Sequence, residues 1–511
     1  MKQLVALVTT AMALSTLAGC QQECKPNQDV ECWINALSDS QRVEKAVENI
    51  REIGDKKAEP ALLEAFKSNE DKPAIRERIA EIFRKWHTSE AVPALLGAID
   101  YTVGPDKEGR RAKRTNRMNQ KIASALGELG DKSAIQPLLR LMKSTKSPQV
   151  QRAAIRALGK LKAREAVGDL IALVEDSTAH KIIRMNAIFA LGEIADPRAV
   201  PTLVLSLYRD KAYYFFQAGL ALVKIGQPAV EPLVKTMMGQ NLDAKRLVEG
   251  NMEILAGALE SNAAKVLGDI GDPAAVEPLL KMVEKVENWE AETNKLLTIT
   301  RLITALGSIG DPRGLPVAVK YLSKEFWDVR TICADTINKI GDRSAIKELL
   351  KHATSGEHPK TRAPLIEAIG NLGTTEQLAD LRQIAEKQKD LTVQKAVKES
   401  IKRLEAYQQC QQKAQCWIGK LSDKEAAVRE KAAYELGRLK SPEALDALIK
   451  VMRDPSENVR FAVIWALDKI GSKKAVPAIE KLVKEEKGSA RYKVVNYNYQ
   501  LLAARLSRSG S

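Results

Sequence analysis

Aromatic residues make up only 5% of this 511-residue chain, and there are only four histidines. His87, His180, His352 and His358 are scattered, and the closest pair, His352 and His358, spans a turn carrying Gly356. So little histidine leaves little material for a His-built metal centre or acid–base couple. His-Glu-x-x-His, Gly-x-Ser-x-Gly, a Walker phosphate loop and a dinucleotide fingerprint are missing too. No cofactor, metal or catalytic residue is expected, and the chain reads as a non-enzyme. Enzymatic chemistry would need a polar pocket with perturbed titratable groups. Long apolar runs are also missing after the one from Leu4 to Leu17, which is too short to cross a bilayer.

The material that is present supports a large folded core. Apolar residues reach 45% and charged residues 28%, which excludes wholesale disorder. Lys and Arg outnumber Asp and Glu by 80 to 65, a formal +15 that favours anionic partners.

Beyond residue 32 one motif recurs. Ile270-Gly271-Asp272-Pro273-Ala274-Ala275-Val276, Ile194-Ala195-Asp196-Pro197-Arg198-Ala199-Val200 and Ile340-Gly341-Asp342-Arg343-Ser344-Ala345-Ile346 are three copies. Gly ends one helix, Asp caps the next, and Pro sits in its first turn. An amphipathic stretch of about a dozen residues follows, then a second with small residues on one face, as in Gln151–Gly159. The unit is a helical hairpin. Its start recurs mostly every 31 to 33 residues, for instance from Pro60 to Pro93 and from Pro201 to Pro232. About fourteen such hairpins are predicted, each too small to bury its apolar face without its neighbours.

The Gly-Asp-Pro-x-Ala-Val-x-x-Leu turn resembles that of HEAT-like repeats of the phycobilisome-lyase type, over nearly all of residues 32–507. The resemblance implies an all-α fold, a right-handed α-α superhelix. It carries no lyase activity, because the chain offers no bilin-handling residues. The segment Leu17-Ala18-Gly19-Cys20, at the end of the first apolar run, resembles the lipobox of bacterial lipoprotein signals. That resemblance implies a signal peptide over 1–19, lipidation of Cys20, and a lipidated tether over 20–31. Each buried acyl methylene contributes about 0.8 kcal/mol, so several chains anchor the protein without spanning the membrane. The implied location is the bacterial envelope, facing the periplasm. Gln21, after the lipid-bearing Cys, points to the outer membrane by the family rule.

Cys24 and Cys32-Trp33 near the start are echoed by Cys410 and Cys416-Trp417. In an oxidising compartment these read as two local disulfides, each contributing about 2–3 kcal/mol. The second copy divides the repeats into a main block, 32–409, and a C-terminal block, 410–511. Cys333 reads as a buried, inert thiol.

Three groups of residues are candidates for contact. A ladder of Arg152, Arg184, Arg330, Arg429 and Arg460 is expected to bond turn aspartates or helix-terminal carbonyls of adjacent repeats. Tyr208, Tyr213, Tyr214, Phe215 and Phe216 form an aromatic cluster, at least one of which should reach the surface as an anchor for a partner protein. An insertion carrying Lys107, Arg110, Arg111, Lys113, Arg114, Arg117 and Lys121 is a candidate site for anionic lipid or glycan. Nucleic acid is not expected, because this segment lacks interleaved aromatics for base stacking. The reading is a membrane-anchored periplasmic scaffold that recruits a protein partner on its concave face and insertions. The alternative is an envelope-ligand binder using the basic insertion.

Overall fold

The computed structural model describes residues 24–102, 109–249, 256–323, 326–354, 358–485 and 493–508. Cys20, the signal segment and Lys107 lie outside these residues. Every regular element among the described residues is a helix, and the helices pair into fourteen hairpins. The second helices, one per hairpin, are α1 (Val43–Ile53), α2 (Pro73–Trp86), α3 (Arg110–Leu129), α4 (Pro148–Lys160), α5 (Lys181–Ile194), α6 (Phe215–Ile225) and α7 (Ala258–Ile270). They continue as α8 (Glu292–Ile309), α9 (Trp327–Ile340), α10 (Pro359–Leu372), α11 (Leu391–Cys410), α12 (Ala426–Arg438), α13 (Glu457–Ile470) and α14 (Lys493–Arg508). The chain forms two compact units that meet in sequence at Ala166 and Val167. Hairpins 1–4 belong to the first and hairpins 5–14 to the second, so residues 410–511 share a unit with 167–409.

The turns between hairpins follow the sequence reading with one refinement. Gly130, Gly271, Gly310 and Gly341 end their helices at positive φ, while Ala195 takes that conformation where the others use Gly. The next aspartate caps a three-residue 3-10 turn, and the α-helix starts after it. Asp272 Oδ1 accepts from the Ala274 amide at 2.9 Å, Pro273–Ala275 is the 3-10 turn, and a helix then runs Val276–Glu287. Asp131, Asp196, Asp311 and Asp342 do the same. Each cap contributes about 1 kcal/mol.

Neighbouring second helices pack closely because a glycine faces them. A Cβ on Gly192 of α5 would lie 2.8 Å from the Cα of Ala221 on α6, and one on Gly127 of α3 would lie 2.6 Å from the Cα of Ala157 on α4. Both glycines close an Ala-Leu-Gly triplet, so contacts at equivalent heights keep the second helices parallel and in register.

In the first unit, α2, α3 and α4 stack in order. The Cys24–Cys32 disulfide, with Cα atoms 5.6 Å apart, ties down its start. Trp33 is buried beside it and donates from Nε1 to the Lys25 carbonyl (3.0 Å). In the second unit, α5 to α11 stack in the same way. The Cys410–Cys416 disulfide then repeats the opening device, with Trp417 Nε1 donating to the Gln411 carbonyl (2.7 Å). After this corner, α12, α13 and α14 return across the stack: α12 packs on α10 and α11, and α14 reaches back to α6. The run of second helices from α6 to α14 therefore closes on itself. This corrects the expectation of an open concave face in hairpins 6–11, because helices of the same chain cover it.

The close approach at Gly192 gives a test with opposite signs. Alanine normally exceeds glycine in a helix by about 1 kcal/mol. Gly168, with open space around its Cβ position, should show some of that gain as Gly168→Ala. Gly192→Ala should instead destabilise by about 1–3 kcal/mol through overpacking. Urea unfolding of the two variants checks both signs.

Candidate functional site

The returning helices are held by the C-terminal ends of the helices beneath them. The last carbonyls of an α-helix have no intrahelical donor and form the negative end of its dipole. Arg508 on α14 donates to the Ile270 carbonyl closing α7 (3.0 Å). Arg505 and Lys469 reach the Ser308 and Gly310 carbonyls at the end of α8 (3.5 and 3.4 Å). Trp465 Nε1 on α13 donates to Lys339 at the end of α9 (2.8 Å). Lys431 on α12 donates to Asn371 and Gly373 at the end of α10 (2.8 and 2.9 Å).

Lys431 is completely buried and also pairs with Glu435 at 3.0 Å. Glu435 receives Arg343 (3.1 Å) and Arg438 (2.8 Å) as well. Burial pushes the Lys431 ammonium down to about 7, with Glu435 opposing. Burial alone would raise the Glu435 carboxyl, but Lys431, Arg438 and Arg343 outweigh it and hold it below the usual carboxylate range. A second buried pair, Arg403 with Glu430 at 2.7 Å, ties α11 to α12.

Between the stack and the returning helices lies a pocket of about 560 Å³, lined from α7 to α10 on one side and α12 to α14 on the other. Asp335 and Asn338 (α9), Glu367 and Asn371 (α10) and Glu430 and Tyr434 (α12) form one end. Asp269, Asp468 and Arg505 form the other, where Tyr497 donates to Asp269 (3.2 Å). Burial pushes the Asp269 carboxyl up despite Lys265 and this phenol, and burial pushes Glu367 up against the pull of Arg403. A polar pocket with perturbed carboxyls is thus present where only outer surface was expected. Its lining includes no histidine or cysteine. Among the described residues no three His, Cys, Asp or Glu converge to hold a metal ion.

The sequence-derived candidates are distributed differently from expectation. Tyr208 and Tyr214 are core residues, which corrects their reading as partner anchors; Tyr208 donates to the Leu259 carbonyl (2.9 Å). Adjacent helical positions diverge by about 100°, so Tyr213 and Phe216 are exposed, at 52% and 60%, while Phe215 is half-buried. The basic insertion is largely an elongation of α3. Arg117 and Lys121 pair with Glu77 and Glu81 of α2 (3.5 and 3.3 Å), which corrects their reading as free anion ligands. Arg110, Lys113 and Arg114 are exposed, and the Arg111 side chain lies outside the described residues. In the arginine ladder, Arg184 bonds the Val174 carbonyl (3.1 Å) and Asp210 (2.9 Å), Arg429 grips Asp454 with two bonds, and Arg460 bonds the Asp454 carbonyl (2.6 Å). Their partners are not the capping Asp196 and Asp311, which pair with Arg198 and Arg313. Burial pushes the Cys333 thiol up to about 12, so it stays protonated and unreactive. His180 and His358 cap helices, accepting at Nδ1 from Ile182 and Lys360.

The buried charges of α12 were missed, though repeats compared side by side carry a signal for them. Glu435-Leu436-Gly437 stands where other second helices read Ala-Leu-Gly, and Asn338 follows Ile337 where others place Gly.

Stacked hairpins with their second helices side by side define an α-solenoid. Its repeats are HEAT repeats, and the chain belongs to the HEAT-repeat proteins. The HEAT repeat model matches residues 109–182, 298–363 and 417–496, and the PBS lyase HEAT-like repeat model matches 183–207 and 261–285. Among solved structures, importin beta is similar at 13% identity over 93% of this chain and 74% of its own, with a TM-score of 0.41. The karyopherin Kap121p bound to the extreme C-terminus of the protein phosphatase Cdc14p is 13% identical over 89% of this chain and 59% of its own (TM-score 0.42). The CpcE–CpcF phycocyanin lyase complex of Nostoc sp. PCC7120 is 22% identical over 58% of this chain and 94% of that chain (TM-score 0.28). At these identities the likeness concerns the fold alone. A search of curated proteins returned no match.

The Lys431 site predicts a pH dependence. Between about 7 and the ordinary lysine value of 10.5, the unfolded chain holds a proton that the folded chain has released. Stability therefore rises with pH across that window, by roughly 1 kcal/mol per unit; below it both states are charged and the cost of burying charge is felt in full. Urea midpoints at pH 7 and about pH 9 should show the rise in the wild type and lose it in Lys431→Met.

Proposed function

We propose that the protein is a membrane-anchored periplasmic scaffold that binds a partner protein along one edge of its second unit. The observation that carries this reading is where the large exposed apolar side chains fall. Ile182, Tyr213, Phe216, Leu242, Leu297, Phe326, Trp327 and Leu391 are exposed, all in the second unit. Most of them start a second helix, so they lie along the edge formed by the turns within hairpins. The opposite edge, formed by the capped turns between hairpins, carries none of them. Apolar side chains gathered on one edge favour a protein with a complementary apolar face. The resemblance of Leu17–Cys20 to a lipobox supports anchoring and the envelope setting, and Gln21 supports the outer membrane.

Photo-crosslinkers at Tyr213, Trp327 and Leu391, and at Glu376 and Lys474 on the opposite edge, test the reading in intact envelopes. A discrete protein adduct is expected from the first three positions only. No adduct, or equal yield from both edges, overturns it.

A second reading rests on Arg110, Lys113 and Arg114, which are exposed and in no ion pair with a described residue. They support binding of anionic envelope lipid or glycan. Co-sedimentation with anionic vesicles should then weaken steeply with salt and fall when all three become alanine.

A further inference from the structure

The last three hairpins have a hydrophobic core of their own. It gathers Tyr407 and Cys410 from the end of α11 with Trp417, Ala433, Val463 and Leu502, and all its residues fall between Ala406 and Leu506. No described residue of α6 to α10 takes part in it. The bonds that join this block to the stack are mainly polar. Besides the cations and the indole on helix-end carbonyls, Asn338 Nδ2 donates to the Tyr434 hydroxyl (3.0 Å), Asn371 Nδ2 to Glu430 (3.1 Å) and Tyr497 to Asp269 (3.2 Å). On α6, Phe216 meets the Tyr497 ring edge-on at 5.7 Å and still remains exposed. The 560 Å³ pocket lies between the layers, so they are not close-packed there. A polar, incompletely filled interface between two separately cored layers is the kind across which parts of a chain move.

The grip is uneven along that interface. At α12 it is short and enclosed: Lys431 reaches the end of α10 at 2.8 and 2.9 Å, and Arg403 meets Glu430 at 2.7 Å with both side chains buried. At the α14 end, Lys469 and Arg505 reach the end of α8 at only 3.4 and 3.5 Å, and Arg505 is 21% exposed. Burial, and then the Arg505 charge, push the neighbouring Arg508 guanidinium down to about 10. Burial also lowers the Lys469 ammonium; Asp468 opposes this and Arg505 adds to it. Three cations are thus crowded at the end that is held least closely. Helix α14 has two distinct faces. Tyr497, Arg505 and Arg508 meet the stack, and Leu501 lies midway between Tyr497 and Arg505 on the same stripe, whereas Leu502 and Leu506 point into the block's own core. We infer that hairpins 12–14 form a hinged cover, which pivots at α12 and lifts α13 and α14 off the stack as one rigid piece. Lifting bares the carbonyl ends of α7 and α8 and opens the pocket, while the core of the block stays closed.

Thiol labelling of the full chain under native, non-reducing conditions tests this, using a polymer-linked maleimide too large for the pocket and mapping modified sites by mass spectrometry. Leu501→Cys places a thiol on the stack-facing stripe and Leu502→Cys places one in the core of the block. Cys333, fully buried in the stack, is the internal reference. The thiol at 501 should label at least about tenfold faster than those at 502 and 333. Adding Arg505→Ala with Arg508→Ala should raise the rate at 501 by about tenfold more and leave the other two unchanged. Equal rates at 501 and 502 mean that α14 unravels instead of lifting, and a rate at 501 that is indifferent to the two arginines means that they do not hold a cover shut; either result overturns the proposal. Should Leu501→Cys lose its helical circular dichroism, Ala504→Cys, buried and likewise outside the core of the block, takes its place with the same two criteria.

Discussion

The structure depends on how closely one second helix approaches the next. A hairpin of some thirty residues cannot bury its own apolar face, so its stability comes from its neighbours. The Ala-Leu-Gly triplet makes that contact possible: Leu191 fills the core, while Gly192 lets the backbone of α6 come within van der Waals distance. In a side-chain-mediated contact the register between repeats would vary with each residue pair. A backbone-mediated contact repeats the same geometry whenever the triplet recurs, and small errors do not accumulate along the stack.

That regularity brings the ends of the second helices together on one side. A row of helix C-termini is a row of unsatisfied carbonyls and partial negative charge. In the second unit the chain supplies the complementary row itself, with Lys431, Trp465, Lys469, Arg505 and Arg508 reaching the ends of α7 to α10. The face on which a solenoid would ordinarily hold a partner is thus held by its own last hairpins. What remains for outside molecules is the exposed apolar edge and the pocket left between the two layers.

Hairpin number and turn chemistry were legible because both are local. Gly-Asp-Pro encodes its own turn, and the Cys-Trp pairs encode the start of the first unit and the corner of the second with the same indole-to-carbonyl bond. The return of α12–α14 was not legible, since repeat patterns report nearest neighbours along the stack and not what crosses its inner face. The apolar pattern of α13, for example, suits burial against α12 and burial against α9 equally well. The aromatic cluster misled for a related reason: Tyr208 and Tyr214 fill space where the first helix of hairpin 6 ends early at Ser206 and a short helix, Arg209–Ala212, intervenes. Only Glu435 and Asn338, polar residues at positions that other repeats keep small, marked the buried interface in advance.

Those polar substitutions bear on specificity more than on stability. A stack of similar repeats offers several near-equivalent ways to lay three hairpins across the others, and apolar surfaces alone discriminate weakly among them. Burying Lys431, Glu435, Arg403 and Glu430 is costly, and well-packed apolar residues often stabilise as much or more. The charges satisfy one another in a single register, where Lys431 meets the end of α10 and Glu435 meets Arg343. Displacing the return by one hairpin would keep the Lys431–Glu435 pair within α12 but part Glu435 from Arg343 and Lys431 from the carbonyls closing α10, at about 1–3 kcal/mol for each lost bond. The buried network thereby selects one closure, and that closure places Asn338, Glu367 and Asn371 around one end of the pocket.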